Sequence, residues 1–441
     1  HDQTRRQRQM CIRDRKRRDE LVSSLPKNSL VLIASADEII RNNDAMFSFR
    51  QNSDLLYLSA FNEPESIALF DTDNKKFHLF CRDKDPLREQ WDGKRLGYKG
   101  ASNIGADEGH DIKEFDSKFL ELIKNKERIY LQKDNIHLST KIDALVDQAK
   151  KEFGRTNYSF PEEFFSISPI LHEMRLFKDE DEISIMKKAC SISAQAHIRA
   201  MKSVKPGMFE YELEAEYVHE FMKNGARDCA YTPIVGSGNN SCILHYNQND
   251  RKMENGDLVL VDAGCEYQGY ASDITRTFPV NGKFSPEQKL IYEIVLEAHK
   301  NCIEMLKPGI SWMDVHRQSI ETITKGLIEI NLLSGSLEEN IEKENYSKFY
   351  MHRVGHWLGL DVHDVGGYGS EGDWRLMEPG MVTTIEPGIY IKEGLEGVPE
   401  EFHKIGVRIE DDVLITDDGY EILSSEVPVD VESIEKLASS D

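Results

Sequence analysis

Two stretches in the second half of the chain repeat one pattern. Residues 196–207, AHIRAMKSVKPG, and 298–309, AHKNCIEMLKPG, share Ala-His, seven residues and then Lys-Pro-Gly, at a constant offset of 102. Each is followed by a stretch with helical periodicity, YELEAEYVHEFMKNG in one case and WMDVHRQSIETITKGL in the other. Strands echo as well: Gly256 begins GDLVLVD and Gly380 begins GMVTTIE, each an apolar run that ends six residues later in a carboxylate, Asp262 or Glu386. Together the echoes predict two similar α+β halves facing each other, each delivering acids from strand ends to a shared centre.

The repeat occupies only part of the chain. At 441 residues the sequence exceeds the size at which one core usually keeps growing, so two domains are expected. From about residue 28 to 170, short apolar runs (SLVLIAS, SIALFDT, KFHLFCR, RIYLQKD) alternate with helix-like stretches such as EFDSKFLELIKNK, residues 114–126. That alternation predicts an α/β layer domain. Pro161 and Pro169 punctuate the region after it, and a long amphipathic helix with acids in its first turn follows from Asp179. The fold class is therefore a two-domain α/β chain: an α/β domain over 19–172, then an α+β domain over 173–441 with an internal pseudo-twofold repeat. Residues 1–18 hold eight Lys/Arg against two Asp and read as a poorly ordered basic leader outside the fold.

Charge narrows the partners. The net charge of -23 argues against nucleic acid or an anionic membrane surface, both of which need a basic footprint. The seven cysteines are odd in number and scattered, without a C-x-x-C pair, the usage of a reducing compartment. No apolar run approaches the roughly 18 residues of a membrane span, so the expectation is a cytoplasmic protein without membrane or nucleic-acid partners.

Four acids stand beside apolar strand-like runs: Asp262, Asp273 in YASDITRTF, Glu386 in VTTIEPGIY and Glu410 in GVRIEDDVLI. Each is either a solvated strand end or a charge compensated by a cation, because burying it alone is very costly. The segment YMHRVGHWLGLDVHD adds His352, His356 and His363 within twelve positions. No glutamate follows His352, and Gly355 and Gly359 interrupt a helix, which excludes a helical HExxH zinc site. Four carboxylates and one imidazole carry too much negative charge for one divalent ion but suit two bridged ions, which together activate water and polarise a carbonyl. A thiolate zinc site lacks a cysteine pair with ligand spacing.

These segments carry a family resemblance. LVDAGCEYQGYASDITRTFPV, HRVGHWLGLDVHD, TTIEPGIYI and GVRIEDDVLIT resemble the metal-site segments of the pita-bread dinuclear metallopeptidases of the aminopeptidase P (Xaa-Pro aminopeptidase) type. FRQNSDLLYLSAFNEPES and WDGKRLG, residues 91–97, resemble the creatinase/prolidase-like N-terminal domain of the same family. The resemblance covers about residues 17–425. It implies a pita-bread catalytic domain with Asp262, Asp273, His356, Glu386 and Glu410 as ligands, Asp273 and Glu410 bridging, Asp262 on one ion, and His356 and Glu386 on the other.

The same resemblance assigns the remaining groups. His363 would hydrogen-bond the scissile carbonyl oxygen as it gains charge, with His245 approaching from the other side and His352 lining the cleft. Arg408, on the strand face of Glu410, is either a partner that orients carboxylates or relays protons, or an ordinary ion pair, and Tyr390 either borders the cleft or belongs to the core. Trp91 would reach a neighbouring subunit's cleft in a homodimer or homotetramer. The implied reaction is attack by a hydroxide bridging two divalent ions, Mn²⁺ in the family and Co²⁺, Zn²⁺ or Fe²⁺ by chemistry, on the first peptide bond of a substrate with proline second. Glu386 would carry the proton toward the prolyl nitrogen. The alternatives are a prolidase on the same fold and a non-catalytic binding protein; the complete ligand set argues against the second and against a creatinase-like enzyme.

Overall fold

The computed structural model describes residues 2–439, with side chains from Arg13 onward. These residues fall into two compact units, the first ending at Met174 and the second beginning at Arg175.

The first unit is built on a six-stranded mixed sheet. Its order is Glu108–Asp111, Lys76–Cys81, Ile67–Asp71, Ser29–Ala34, Arg128–Leu131 and Glu163–Ser166. The apolar runs that read as strands are strands: Leu30, Leu32, Leu69 and Phe80 point from the sheet into a core closed by Phe115 and Phe119 of one helix and Ile142 and Leu145 of another. The periodicity of 114–126 overran its helix, which spans Phe115–Leu122.

The basic leader is a correction. The helix Asp2–Ser24 includes it, and within the described side chains Asp14, Arg17 and Arg18 are buried. Arg17 donates to the Tyr57 carbonyl at 3.1 Å and Arg18 to the Leu58 carbonyl at 2.7 Å. Those carbonyls end the helix Ser53–Ser59, where the last C=O groups lack intrahelical partners and the dipole favours cations. Arg17 also stacks 4.1 Å above the Tyr57 ring. Charge density along a sequence reads as solvated surface; the carbonyls and ring that accept these guanidiniums lie 40 residues away. His1 and the side chains of 2–12 lie outside the described residues.

In the second unit each Ala-His motif ends a long helix. Glu180–Ser203 begins with a capping box between Asp179 and Glu182, and Pro286–Met305 with one between Ser285 and Gln288 plus a proline in its first turn. Each packs against the helix after it, Glu210–Lys223 or Trp312–Glu329. Both repeat histidines are buried and brace a neighbour of a candidate ligand. The His197 ring bonds the Ala263 carbonyl at 3.1 Å, next to Asp262; His299 Nε2 lies 3.0 Å from Asp411, next to Glu410.

The strands repeat too. Leu258–Asp262 pairs antiparallel with Thr275–Pro279, and Val382–Ile385 with Asp411–Ile415. Each pair has one acid at the end of its first strand, Asp262 or Glu386, and another just before its second, Asp273 or Glu410. An isolated bridge, Thr275 to Glu410, joins the halves. Among the described residues no helix is long and apolar enough to cross a membrane.

Candidate metal centre and its cleft

Asp262, Asp273, His356, Glu386 and Glu410 all line one cavity of about 490 Å³, inside the usual range for small-ligand sites. One potential ligand atom each of Asp273, His356 and Glu410 lies within 4.8 Å of the others. His356 Nε2 faces Asp273 at 3.3 Å and Glu386 at 3.6 Å. Its Nδ1 donates to the Trp357 carbonyl at 3.0 Å, a bond that fixes the ring with Nε2 turned toward the acids.

The electrostatics call for cations. Burial, then the adjacent Asp262 carboxylate, push the Asp273 carboxyl above its ordinary range. Burial raises Glu386 to about 7 against the attraction of His356 and Arg408. Burial, Asp273 and Glu386 raise Glu410 furthest. Although burial opposes it, hydrogen bonding to Asp273 and the Glu386 charge hold His356 at about 9, so an imidazolium proton does part of a metal's work. Buried, mutually repelling carboxylates beside one imidazole, whose Nε2 would give up its proton on ligation, fit divalent metal, which supplies the missing positive charge.

Two glycines make this convergence possible. A Cβ on Gly264 would overlap the Ser272 carbonyl, and one on Gly355 the Thr384 carbonyl. Gly264 thus lets the Asp262 and Asp273 segments touch, and Gly355 lets the His356 and Glu386 segments touch. Gly264→Ala should cost about 1–3 kcal/mol of stability by overpacking and lower bound metal in parallel. Thermal unfolding with metal analysis checks this; unchanged metal content would show that the contact does not set the ligand spacing.

Several positioning groups were not foreseen. Tyr231 donates from its hydroxyl toward both Asp262 and Asp273, at 2.5 and 2.6 Å. Thr275 Oγ1 donates to Glu410 at 2.6 Å, and Asp412 accepts the Asp273 backbone N–H at 3.0 Å. Asp364 is locked between Arg175 at 2.7 Å and Lys178 at 3.0 Å, which anchors the loop bearing His356 and His363. Leu244, Trp312, Tyr368 and Trp374 supply an apolar wall. None of these has a local signal, because each acts on a residue distant in sequence.

The three other histidines line the same cavity but differ in kind. His352 has both nitrogens engaged, Nδ1 with the Arg353 carbonyl at 2.8 Å and Nε2 with the Tyr390 hydroxyl at 2.8 Å, and burial with the Arg408 charge pushes it down to about 3. It presents a neutral ring to the cleft. Among the described residues, neither His245 nor His363 spends a ring nitrogen on the protein. His363 packs edge-on against His356, ring centres 4.4 Å apart. Arg408 reaches Asp262 at 2.7 Å, Tyr390 at 3.0 Å and Thr275 at 3.2 Å. Tyr390 stands behind His352 and Arg408, is 2 % exposed, and is not among the lining residues. Trp91 belongs to the first unit, on the helix Pro86–Asp92, and is 85 % exposed.

Known proteins resemble the chain along its length. Residues 184–417 match metallopeptidase family M24, and residues 15–130 match the aminopeptidase P N-terminal domain. The Xaa-Pro aminopeptidases of Escherichia coli and Haemophilus influenzae are 43 % and 45 % identical to the chain, each over 96 % of both sequences. The solved aminopeptidase PepP of Pseudomonas aeruginosa superposes with a TM-score of 0.95 at 44 % identity, covering 97 % of this chain and 98 % of that one. Escherichia coli aminopeptidase P in zinc-substituted form with product superposes at 0.94 and 42 % identity, covering 97 % and 98 %. The chain belongs to metallopeptidase family M24, with the two-domain architecture of the aminopeptidase P branch.

Proposed function

We propose that this chain releases the N-terminal residue from peptides with proline in second position, using two divalent metal ions held by Asp262, Asp273, His356, Glu386 and Glu410. The observation that carries this reading is the convergence of five ligand-competent side chains on one cavity, in a chain similar along its length to Xaa-Pro aminopeptidases. Asp273 and Glu410 are assigned as bridging ligands. Mn²⁺ suits the oxygen-rich donor set, while Co²⁺, Zn²⁺ and Fe²⁺ are compatible with it. Bound ions would lower the pKa of water and polarise the scissile carbonyl.

The chain's own groups do the rest. Glu386 accepts a proton at its carboxylate and returns it to the prolyl nitrogen, a basic leaving group that must be protonated to depart. His363 and His245, with uncommitted ring nitrogens, hydrogen-bond the substrate, His363 at the carbonyl oxygen as negative charge builds there. His352, tied to Tyr390 and so to Arg408, forms a fixed wall beside them. Proline's tertiary amide has no N–H and a fixed φ, and the apolar wall of Trp312, Tyr368 and Trp374 offers a surface that can take its ring.

The reading includes a homodimer or homotetramer. Trp91, 85 % exposed on a short helix that also carries the 76 % exposed Leu87, is the group assigned to a neighbouring subunit's cleft. It also places the enzyme in the cytoplasm, in keeping with six described cysteines that are all unpaired. The test is release of the first residue from matched Xaa-Pro-Yaa and Xaa-Pro peptides by chelator-stripped protein, with and without Mn²⁺. Metal-dependent cleavage of the longer peptide is expected. Cleavage of the dipeptide alone would make the protein a prolidase, and no cleavage with any divalent metal would leave a binding role.

A further inference from the structure

The first unit contains a second cluster of metal-ligating side chains, remote in sequence from the five at the catalytic cavity. His78 lies on the strand Lys76–Cys81, and Glu108 and His110 on the parallel edge strand Glu108–Asp111. The register sets His78 beside Glu108 and Phe80 beside His110, so period-two alternation brings all three ligand side chains to one face of the sheet.

Three atoms meet there. His78 Nδ1 is 3.2 Å from His110 Nε2 and 3.5 Å from Glu108 Oε2, and His110 Nε2 is 3.6 Å from the same oxygen. A tetrahedral zinc ion with bonds of about 2.0–2.1 Å separates neighbouring ligand atoms by about 3.3–3.4 Å. A point about 0.7 Å off the plane of this near-equilateral triangle lies about 2.1 Å from all three corners, so one ion reaches every ligand with little movement and keeps a fourth position open. We propose that His78, Glu108 and His110 form a further metal site, which takes one borderline divalent ion such as Zn²⁺ and pins the edge strand of the N-terminal sheet to its neighbour.

The surroundings suit such an ion. Burial pushes both imidazoles below their ordinary pKa, keeping them neutral with lone pairs available. His110 is held in orientation by stacking on Phe80, ring centres 4.7 Å apart. Lys76 takes the other carboxylate oxygen of Glu108 at 2.5 Å, fixing the carboxylate while leaving Oε2 directed at the histidines. The His78 side chain is 3 % exposed and that of Glu108 38 %, so the site is closed on one side and reaches solvent on the other, where water can complete a tetrahedron. Two nitrogens and one oxygen select zinc-like ions over Mg²⁺ or Ca²⁺, unlike the oxygen-rich catalytic set. Two features weaken the affinity: the Lys76 charge, and a buried His78 Nε2 without a partner that must carry the proton when Nδ1 is ligated.

The test counts zinc. Full-length chelator-stripped protein is dialysed to equilibrium against micromolar Zn²⁺ in excess Mn²⁺, and zinc per chain is measured for the unmodified protein, His110→Phe, Glu108→Gln and Asp273→Asn. The expected result is one equivalent of zinc lost in His110→Phe and in Glu108→Gln, kept in Asp273→Asn, with Mn²⁺-supported peptidase activity unchanged in the first two. Zinc should also raise the thermal midpoint of the unmodified protein above those two variants. Glu108→Gln preserves shape and a hydrogen-bonding oxygen for Lys76, so it reports even if His110→Phe folds poorly. Equal zinc in the unmodified protein and both variants overturns the proposal and reduces the cluster to a His–His hydrogen bond beside an ion pair.

Discussion

Asp273→Asn is expected to lower kcat for an Xaa-Pro-Yaa peptide on the order of 10³-fold or more, beyond the 10–100-fold typical of groups that only orient ligands. Asn keeps the volume and can still accept the Tyr231 hydroxyl, so the fold has no reason to change. What disappears is the charge that faces His356 at 3.3 Å, together with the second strong donor oxygen that a bridging role demands. Bound metal should fall from two equivalents toward one, while circular dichroism stays as in the unmodified protein. Substantial turnover in metal-replete Asp273→Asn would remove Asp273 from the ligand set, and the dinuclear reading with it.

The second large effect is expected at Arg408. Its guanidinium is 3 % exposed and satisfies Asp262, Tyr390 and Thr275 together. Arg408→Met keeps the apolar stem but leaves the Asp262 carboxylate without its cation, with the Tyr231 hydroxyl still donating to it, and removing one partner of a buried pair typically costs about 3–5 kcal/mol. It also unties Tyr390 from the metal-side carboxylates, which frees His352 to reorient; kcat should fall on the order of 10²-fold. Adding Mn²⁺ should recover part of the lost stability, because a cation at Asp262 replaces the missing charge. Arg408→Lys should rescue little, since one ammonium cannot span three partners set around a planar fork. Thermal unfolding with and without Mn²⁺ and steady-state kinetics decide this, and a fully active Arg408→Lys would make the residue an ordinary ion pair.

The legible parts of this protein are those written in local chemistry. The apolar runs around Leu30, Leu69 and Phe80 became strands because burying each such side chain contributes roughly 1.5–3 kcal/mol, enough to outweigh alternatives. The acids Asp262 and Glu386 could be singled out because a charge beside a buried strand needs an explanation wherever it occurs. The burial of Arg17 and Arg18 is illegible for the converse reason: their partners, the carbonyls of Tyr57 and Leu58, are left without intrahelical bonds at the end of a different helix.

The His78, Glu108 and His110 cluster lies beyond local reading in the same way. Thirty residues separate His78 from Glu108, and only the parallel register of two strands brings them together. Tyr231, Thr275 and Asp412 follow the same logic at the catalytic cavity. The sequence by itself determined the strand and helix periodicities, the internal repeat and the residue types able to hold metal, because those depend on side-chain chemistry and short spacing. Tertiary structure alone decided which atoms converge, which histidine nitrogens stay uncommitted and which buried charges find partners, because those depend on strand register and on close approaches such as that of Gly264 to Ser272, set by the packing of the whole unit.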